Sequence, residues 1–227
     1  MPRDVLSRRT VPTVVLAAVM ALSGCSTTVT GVATWPGAVL EQAMLRPSDF
    51  PPGVLYDRII EDPGQPDGAG EPGPMLSRPQ GCSNALTNVI AQSAERGPGS
   101  AAKYAVSYDG ARIAMTLLSW NLDLDKIEAA AGRCAKFEAF FDLDSPGIPI
   151  ITAELPGLEP DALGYEQTMT LRNSASSIYM AFQNIGDHAV FGIALPAGNP
   201  RIEAKAELPQ TFLDVFTKQV ARIRSST

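Results

Sequence analysis

Apolar residues change their spacing several times along this chain, and each spacing predicts an element. The C-terminal stretch is the clearest. From Leu208 to Arg224, Phe212, Val215, Phe216, Gln219 and Val220 or Ile223 recur every three or four positions, which predicts a helix with that stripe turned inward. Pro209 falls in its first turn, where a missing N–H does no harm. Leu124 to Phe141 carries a second stripe (Ile127, Ala130, Ala131, Cys134, Phe137, Phe141) and predicts one long helix. Cys82 to Arg96 predicts a third, with Leu86, Val89 and Ile90 on one face and Gly97-Pro98-Gly99 ending it. A short helix is expected over Ala38 to Leu45, with Val39, Leu40, Ala43 and Met44 on one side.

Between these stretches the spacing suits strands. Val54 to Ile60 is one candidate. Ala101 to Tyr108 and Ala111 to Trp120 are two more, joined at Asp109-Gly110, a hairpin signal in which both turn positions are expected at positive φ. Ile148 to Glu154, Leu163 to Leu171, Ser176 to Asn184 and His188 to Leu195 follow, with Gly186-Asp187 as another hairpin turn. Ile178, Met180 and Phe182 alternate with more polar neighbours, as a half-buried antiparallel strand requires. Asp62 to Gln80 is dense in Pro and Gly and is expected to be a long loop. Arg46 to Gly53 is a turn-rich lead-in. Helices interspersed with hairpins predict an α+β fold: a single, mainly antiparallel sheet packed with about three helices. No internal repeat is visible, and one domain over residues 38–227 suffices.

The N-terminus follows a different pattern. Arg3, Arg8 and Arg9 precede a run of about a dozen apolar residues, Val11 to Leu22, too short for a spanning helix of roughly 20. The run ends in Leu22-Ser23-Gly24-Cys25, which resembles the bacterial lipobox. That resemblance implies a signal peptide over residues 1–24, cleavage before Cys25, acylation of the Cys25 sulfur and new amino group, and a lipidated tether over residues 25–37. The other readings are an ordinary signal peptide with Cys25 by chance, or a short unprocessed anchor. Arg8-Arg9 weakly resembles a twin-arginine signal, but Arg pairs are common in basic leaders and Sec export is expected. The expected location is the outer face of the cell membrane, with the membrane itself as a partner through the acyl chains.

Charge narrows the other partners. Removing residues 1–24 takes three Arg and one Asp from totals of 18 basic and 24 acidic residues, leaving 15 and 23, a net of −8. Nucleic acid and electrostatic docking on anionic lipid both need clustered Lys and Arg, so neither is expected. Hydrophobic residues make up 45% of the chain, enough for a folded globule rather than a disordered stalk.

With Cys25 assigned to the lipid, Cys82 and Cys134 form an even pair in an oxidising compartment. A bridge closing a loop of about 50 residues stabilises a fold by roughly 4 kcal/mol. On the helix assignments above it joins two helices over one face of the sheet. The alternatives are two separately buried thiols or a redox pair, although no C-x-x-C is present.

Catalytic chemistry is sparse. His188 is the single histidine, in a turn, and no Gly-x-Ser-x-Gly elbow accompanies it. One His and committed cysteines make no zinc set, so no metal or cofactor is expected. Asp123-Leu124-Asp125 and Asp142-Leu143-Asp144 invite a calcium reading, but neither continues as an EF-hand loop; Asp123 or Asp125 suits a helix cap instead. Paired carboxylates of a hydrolase are always available among 23 acidic residues and carry little information. The expectation is a non-enzyme. Trp120, Tyr165, Arg172 and Tyr179 are the candidate ligand-binding residues, able to line a cleft between sheet and helices, although strand aromatics are more often core. A lipid or glycolipid carrier with an apolar cavity between sheet and helices is the alternative function.

The whole pattern resembles the mycobacterial and actinobacterial cell-envelope lipoproteins whose domain is similar to the extracellular sensor domain of the receptor kinase PknH. The matching features are Leu22-Ser23-Gly24-Cys25, the lead-in Leu45 to Gly53, Cys82 opening one helix and Cys134 within another. Late strands around Asn184-Ile185-Gly186-Asp187 and the C-terminal helix complete it. The resemblance spans roughly residues 38–224 and is a diffuse pattern rather than a motif. The kinase sensor domain carries two disulfides and this chain can form only one. The resemblance implies a non-catalytic domain binding a small envelope ligand or a partner protein, with no reactive residues carried over.

Overall fold

Nine strands form one antiparallel sheet in the order β1-β3-β4-β9-β8-β7-β6-β5-β2. They are β1 Leu55–Ile59, β2 Leu76–Arg78, β3 Ala101–Tyr108, β4 Gly110–Leu118 and β5 Lys136–Phe140, then β6 Ile148–Glu154, β7 Ala162–Leu171, β8 Ser174–Ile185 and β9 His188–Ala197. Three helices are α1 Pro36–Ala43, α2 Leu124–Arg133 and α3 Gln210–Arg224. The computed structural model describes residues 36–59, 75–88, 99–142, 144–172 and 174–226, and the counts here are of those residues. The apolar leader, Cys25 and nearly all of the tether lie outside them, as do Val89 to Pro98 and most of the Pro/Gly-rich stretch. No helix among the described residues is long and apolar enough to cross a membrane.

Strands β5 to β9 run as a meander, and β9 then pairs with β4, which joins the early β3–β4 hairpin and edge strand β1 to the meander and leaves β9 and β8 central. Helices cover both faces, and this explains the composition of the central strands. Ala189-Val190-Phe191 and Met180-Ala181-Phe182 are buried at every position, because alternate side chains enter two different cores. On the first face Tyr104, Ile113, Met115, Ala181 and Val190 meet Leu40 of α1 and Phe212, Phe216 and Val220 of α3. On the second face Met180, Phe182 and Phe191 meet Ile127 and Ala131 of α2, with Leu86 beside them. The rings of Phe182 and Phe191 stack at 4.9 Å between centroids.

The C-terminal helix follows its expected stripe: Phe212, Val215, Phe216, Gln219, Val220 and Ile223 are all buried. It lies directly against the sheet at Gly192, where a Cβ would come within 3.0 Å of Met115, Phe212 and Phe216. Arg224, in its last turn, donates to both carboxylate oxygens of Glu159 in the β6–β7 connection, at 3.0 and 2.6 Å. Gln183 of β8 donates to the same carboxylate and to Asp161. The Arg224 hydrogen bonds, then the Gln183 one, lower the Glu159 pKa to about 2. The folded-state value is depressed, so the contribution of this latch to stability is complete above the unfolded value of roughly 4.3 and fades as pH falls toward about 2. An Arg224→Gln variant is expected to move the Glu159 titration, followed by its carboxyl carbon shift in NMR, up toward the ordinary carboxylate range. A midpoint that stays near 2 would contradict the latch.

Four local expectations change. The stretch Leu124 to Phe141 is not one helix: α2 stops at Arg133, Cys134 caps it, and Lys136–Phe140 is strand β5. Phe137 and Ala139 of β5 are buried and alternate with exposed Lys136 and Glu138, so a period of two continues where a period of three or four had fitted Cys134 and Phe137 equally well. Phe141, assigned to the helical stripe, is 73% exposed. Secondly, the Pro/Gly-rich loop ends in β2, a three-residue edge strand paired with β5 and too short to register as a pattern. Thirdly, Cys82 does not open a helix: Ser83 to Thr87 forms turns, and the rest of the expected helix, Val89 to Arg96, lies outside the described residues. The disulfide therefore ties the turn segment after β2 to the end of α2, rather than joining two helices, with Cα atoms 5.4 Å apart.

The fourth change is at Asp109-Gly110, where only Gly110 has positive φ (110°). The segment Asn199 to Ala206 clamps the turn from outside. Asp109 donates its N–H to Ala204 O, accepts from Ala206 N–H at its own carbonyl, and accepts from Asn199 N–H at Oδ1. This holds Asp109 extended as a parallel bridge to Lys205. A Cβ on Gly110 would sit 2.7 Å from Ala206 O, so the glycine is required by close approach as well as by φ.

Candidate functional site

A cleft of about 570 Å³ opens on the second face between α2 and the turn segment after β2. Its base is the connection Trp120-Asn121-Leu122 from β4 to α2. One wall is Gly81, Ala85 and Asn88; the other is Lys126, Ala129, Ala130 and Arg133 of α2. Helical spacing produces that second wall. Positions 126, 129, 130 and 133 share one side of the helix, while Ile127 and Ala131 turn down into the core.

Three local devices hold the cleft in shape. Asp123 caps α2, its Oδ1 accepting the Lys126 N–H at 3.0 Å, and its charge favours the helix N-terminus. The Asn184 side chain, on neighbouring β8, grips the base twice: Oδ1 accepts the Leu122 N–H at 2.8 Å, and Nδ2 donates to the Leu122 carbonyl at 2.9 Å. The Cys82–Cys134 disulfide fixes the first wall to the end of the second. Ser77 supports the bridge, its hydroxyl accepting the Cys82 N–H at 2.8 Å. Replacing Asn184 by Ala leaves both Leu122 backbone groups unpaired at a part-buried site, with an expected cost of about 1–3 kcal/mol in urea unfolding. Faster hydrogen exchange at the Leu122 amide should accompany it. Unchanged protection there would show that Asn184 does not set the base.

Charge at the cleft runs against that of the chain. Lys126 and Arg133 line it with Asp123, whereas the chain as a whole carries −6. The seven-residue separation along α2 puts the two cationic positions roughly 10 Å apart along the helix axis. Trp120 is half-buried and lines the cleft.

The four candidate binding residues from the sequence do not converge. Trp120 lines the cleft, and Tyr165 belongs to the core of the same face. Burial raises the Tyr165 phenol pKa, with Glu128 and Glu154 adding to the rise. Tyr179 pairs with Glu166, one position out of step with Tyr165, and so points to the opposite face. Arg172 is exposed at the tip of the β7–β8 hairpin, with φ 54°. The residues missed were Lys126, Arg133, Asn88, Asn121 and the clamp Asn184. Spacing on α2 was the one available signal, pairing Lys126 with Arg133 outside the apolar stripe. Cys25 lies outside the described residues.

His188 is half-buried at the start of β9, paired with Ile185 of the first-face core and therefore across the sheet from the cleft. Its Nδ1 is buried without a hydrogen-bond partner. Among the described residues no group of three or more His, Cys, Asp or Glu is placed to hold a metal ion. Asp142 instead organises its own turn, accepting the Asp144 N–H at 3.0 Å.

Fold and cleft together define a disulfide-tied α+β domain, one sheet between two helical layers with an open cleft beside the bridge. No family model matches the chain, and no curated protein matches it. Among solved structures it is similar to an uncharacterized protein from Mycobacterium smegmatis determined by X-ray crystallography. The two are 16% identical over 83% of this chain and 95% of that one, with a TM-score of 0.44.

Proposed function

We propose that this chain is a non-catalytic cell-envelope lipoprotein of actinobacterial type. It displays a ligand- or protein-binding, sensor-like domain outside the membrane, held there by acyl chains on Cys25. The observation that carries the binding role is the cleft between α2 and the Gly81 to Asn88 segment, open to solvent, floored by Trp120 and braced by a disulfide, a helix cap and the Asn184 clamp. Bracing of this kind lowers the ordering cost of binding. The resemblance to PknH-like sensor domains, drawn from the sequence pattern, supports the same reading. The chain's single histidine, His188, lies across the sheet from the cleft.

The carrier alternative needs a hollow between sheet and helix. Tight packing of Met115, Phe212 and Phe216 around Gly192 favours the cleft reading over it on the first face. Native mass spectrometry of protein purified from its own host separates the two, since co-purifying acyl lipid would favour the carrier. For the anchor, Cys25→Ala is expected to abolish lipid processing and release the protein from the membrane fraction. Unchanged processing and fractionation would overturn that part of the proposal.

A further inference from the structure

We propose that the cleft beside α2 takes an anionic sugar, a ring polyol bearing a carboxylate or phosphate; this rests on the cleft being the binding site. Its volume of about 570 Å³ is ordinary for a small-ligand pocket, typically about 300–1,000 Å³. Trp120 lines the cleft between walls that carry the small residues Gly81, Ala85, Ala129 and Ala130. An aromatic face is electron-rich and suits the C–H edge of a sugar ring. Asn88 and Asn121 each offer a donor and an acceptor, the combination that pairs with hydroxyls. An acyl chain in this cleft would strip water from those amides without replacing it, which is unfavourable.

The anionic part of the inference comes from Lys126 and Arg133. Two cations line one cleft of an acidic chain, and Asp123, the carboxylate beside them, has one oxygen turned to the α2 cap. The guanidinium fork of Arg133 suits bidentate contact with carboxylate or phosphate, while Lys126 supplies a point charge.

Saturation-transfer NMR on the full chain tests this, with an oligoglucuronate as soluble probe of the chain in detergent micelles and, in a separate detergent-free sample, the chain reconstituted in phosphatidylinositol vesicles as the headgroup source. The expected result is transfer to the sugar-ring protons together with a shift of the Trp120 indole signal. Transfer should be lost in Trp120→Ala, and also in Trp120→Leu, which keeps apolar bulk without the ring face. Lys126→Gln and Arg133→Gln should each weaken binding by roughly tenfold, while an uncharged gluco-oligosaccharide should bind wild type and both variants equally weakly. A response only to the vesicles assigns the headgroup as the source. Transfer that survives both Trp120 variants overturns the inference. If a peptide pool or palmitate shifts the Trp120 signal and no anionic sugar does, the inference fails and the cleft remains the binding site. If no probe shifts it, both fall.

Discussion

Replacing Gln219 by Leu is expected to destabilise the domain by roughly 3–5 kcal/mol, because it strands three buried polar groups at once. The amide lies in the middle of the first-face core with no measurable exposure. Its Nε2 donates to the Ala43 carbonyl at 2.8 Å, and its Oε1 accepts both the Leu45 N–H and the Tyr104 hydroxyl at 3.0 Å. Ala43 is the last residue of α1, whose terminal carbonyls have no partner within the helix. Gln219 therefore caps α1 from α3 and fastens both to β3 through Tyr104. Tyr104→Phe is the control. It removes one bond but leaves Oε1 still accepting from Leu45, so a cost near 1 kcal/mol is expected. Equilibrium urea unfolding distinguishes the two. A Gln219→Leu variant within about 1 kcal/mol of wild type would mean that this amide does not join the helices to the sheet.

Gln219 also shows where the sequence is legible and where it stops. Its inward position could be read, polar as it is, because Phe212, Val215, Phe216 and Ile223 fix the stripe on which it falls. Its partners could not. They lie 115 to 176 positions away in the chain, and periodicity carries no information about contacts at that range. The same division holds elsewhere. The late strands and their turns were visible because alternation and Gly186-Asp187 are local signals. Gly186 at φ 56° followed by Asp187 is the arrangement that closes a tight hairpin between Ile185 and His188. The break between α2 and β5 was hidden, because Cys134 to Phe137 is a step of three that both a helix and a strand change can produce.

For the cleft, the residue types were readable and the assembly was not. Trp120 was identifiable as a candidate, but the floor on which it sits is held by Asn184, 62 positions later. Tyr165 and Tyr179 looked alike as strand aromatics. Their separation onto opposite faces depends on strand register, in which Tyr165 opposes Met180 rather than Tyr179, and register is a property of the pairing and not of either strand alone. The lining cations were passed over because a Lys and an Arg outside an apolar stripe usually mark a solvated helix face. What distinguishes them is the wall opposite, which the bridge between Cys82 and Cys134 and the packing of Leu86 bring into place.

Removing that bridge is expected to have the second large effect, and a local one. Cys82 and Cys134 are 52 positions apart, for which a chain-entropy treatment gives about 4 kcal/mol of lost stability on reduction or in a Cys82→Ser, Cys134→Ser double variant. Both cysteines are fully buried, with Phe137 and Ala139 packed around them. The loss should be unevenly distributed. The first face, with α1, α3 and the Gln219 hydrogen bonds, does not touch the bridge. The Gly81 to Asn88 wall is held to α2 by the bridge and by Leu86 in the core it shares with Ile127 and Ala131, while the Ser77 and Ser83 hydrogen bonds tie it to the β2 segment. In the double variant, amide exchange should therefore accelerate most over Cys82 to Asn88 and the last turn of α2, and the Trp120 indole should become more accessible to quencher. Protection across α3 should fall only by the global change. Uniform loss across both faces, or a destabilisation below about 1.5 kcal/mol, would mean that the bridge does not brace the cleft. Nonreducing peptide mapping of secreted material gives the independent check, with a single Cys82–Cys134 linked peptide expected and free thiols at both positions the contrary result.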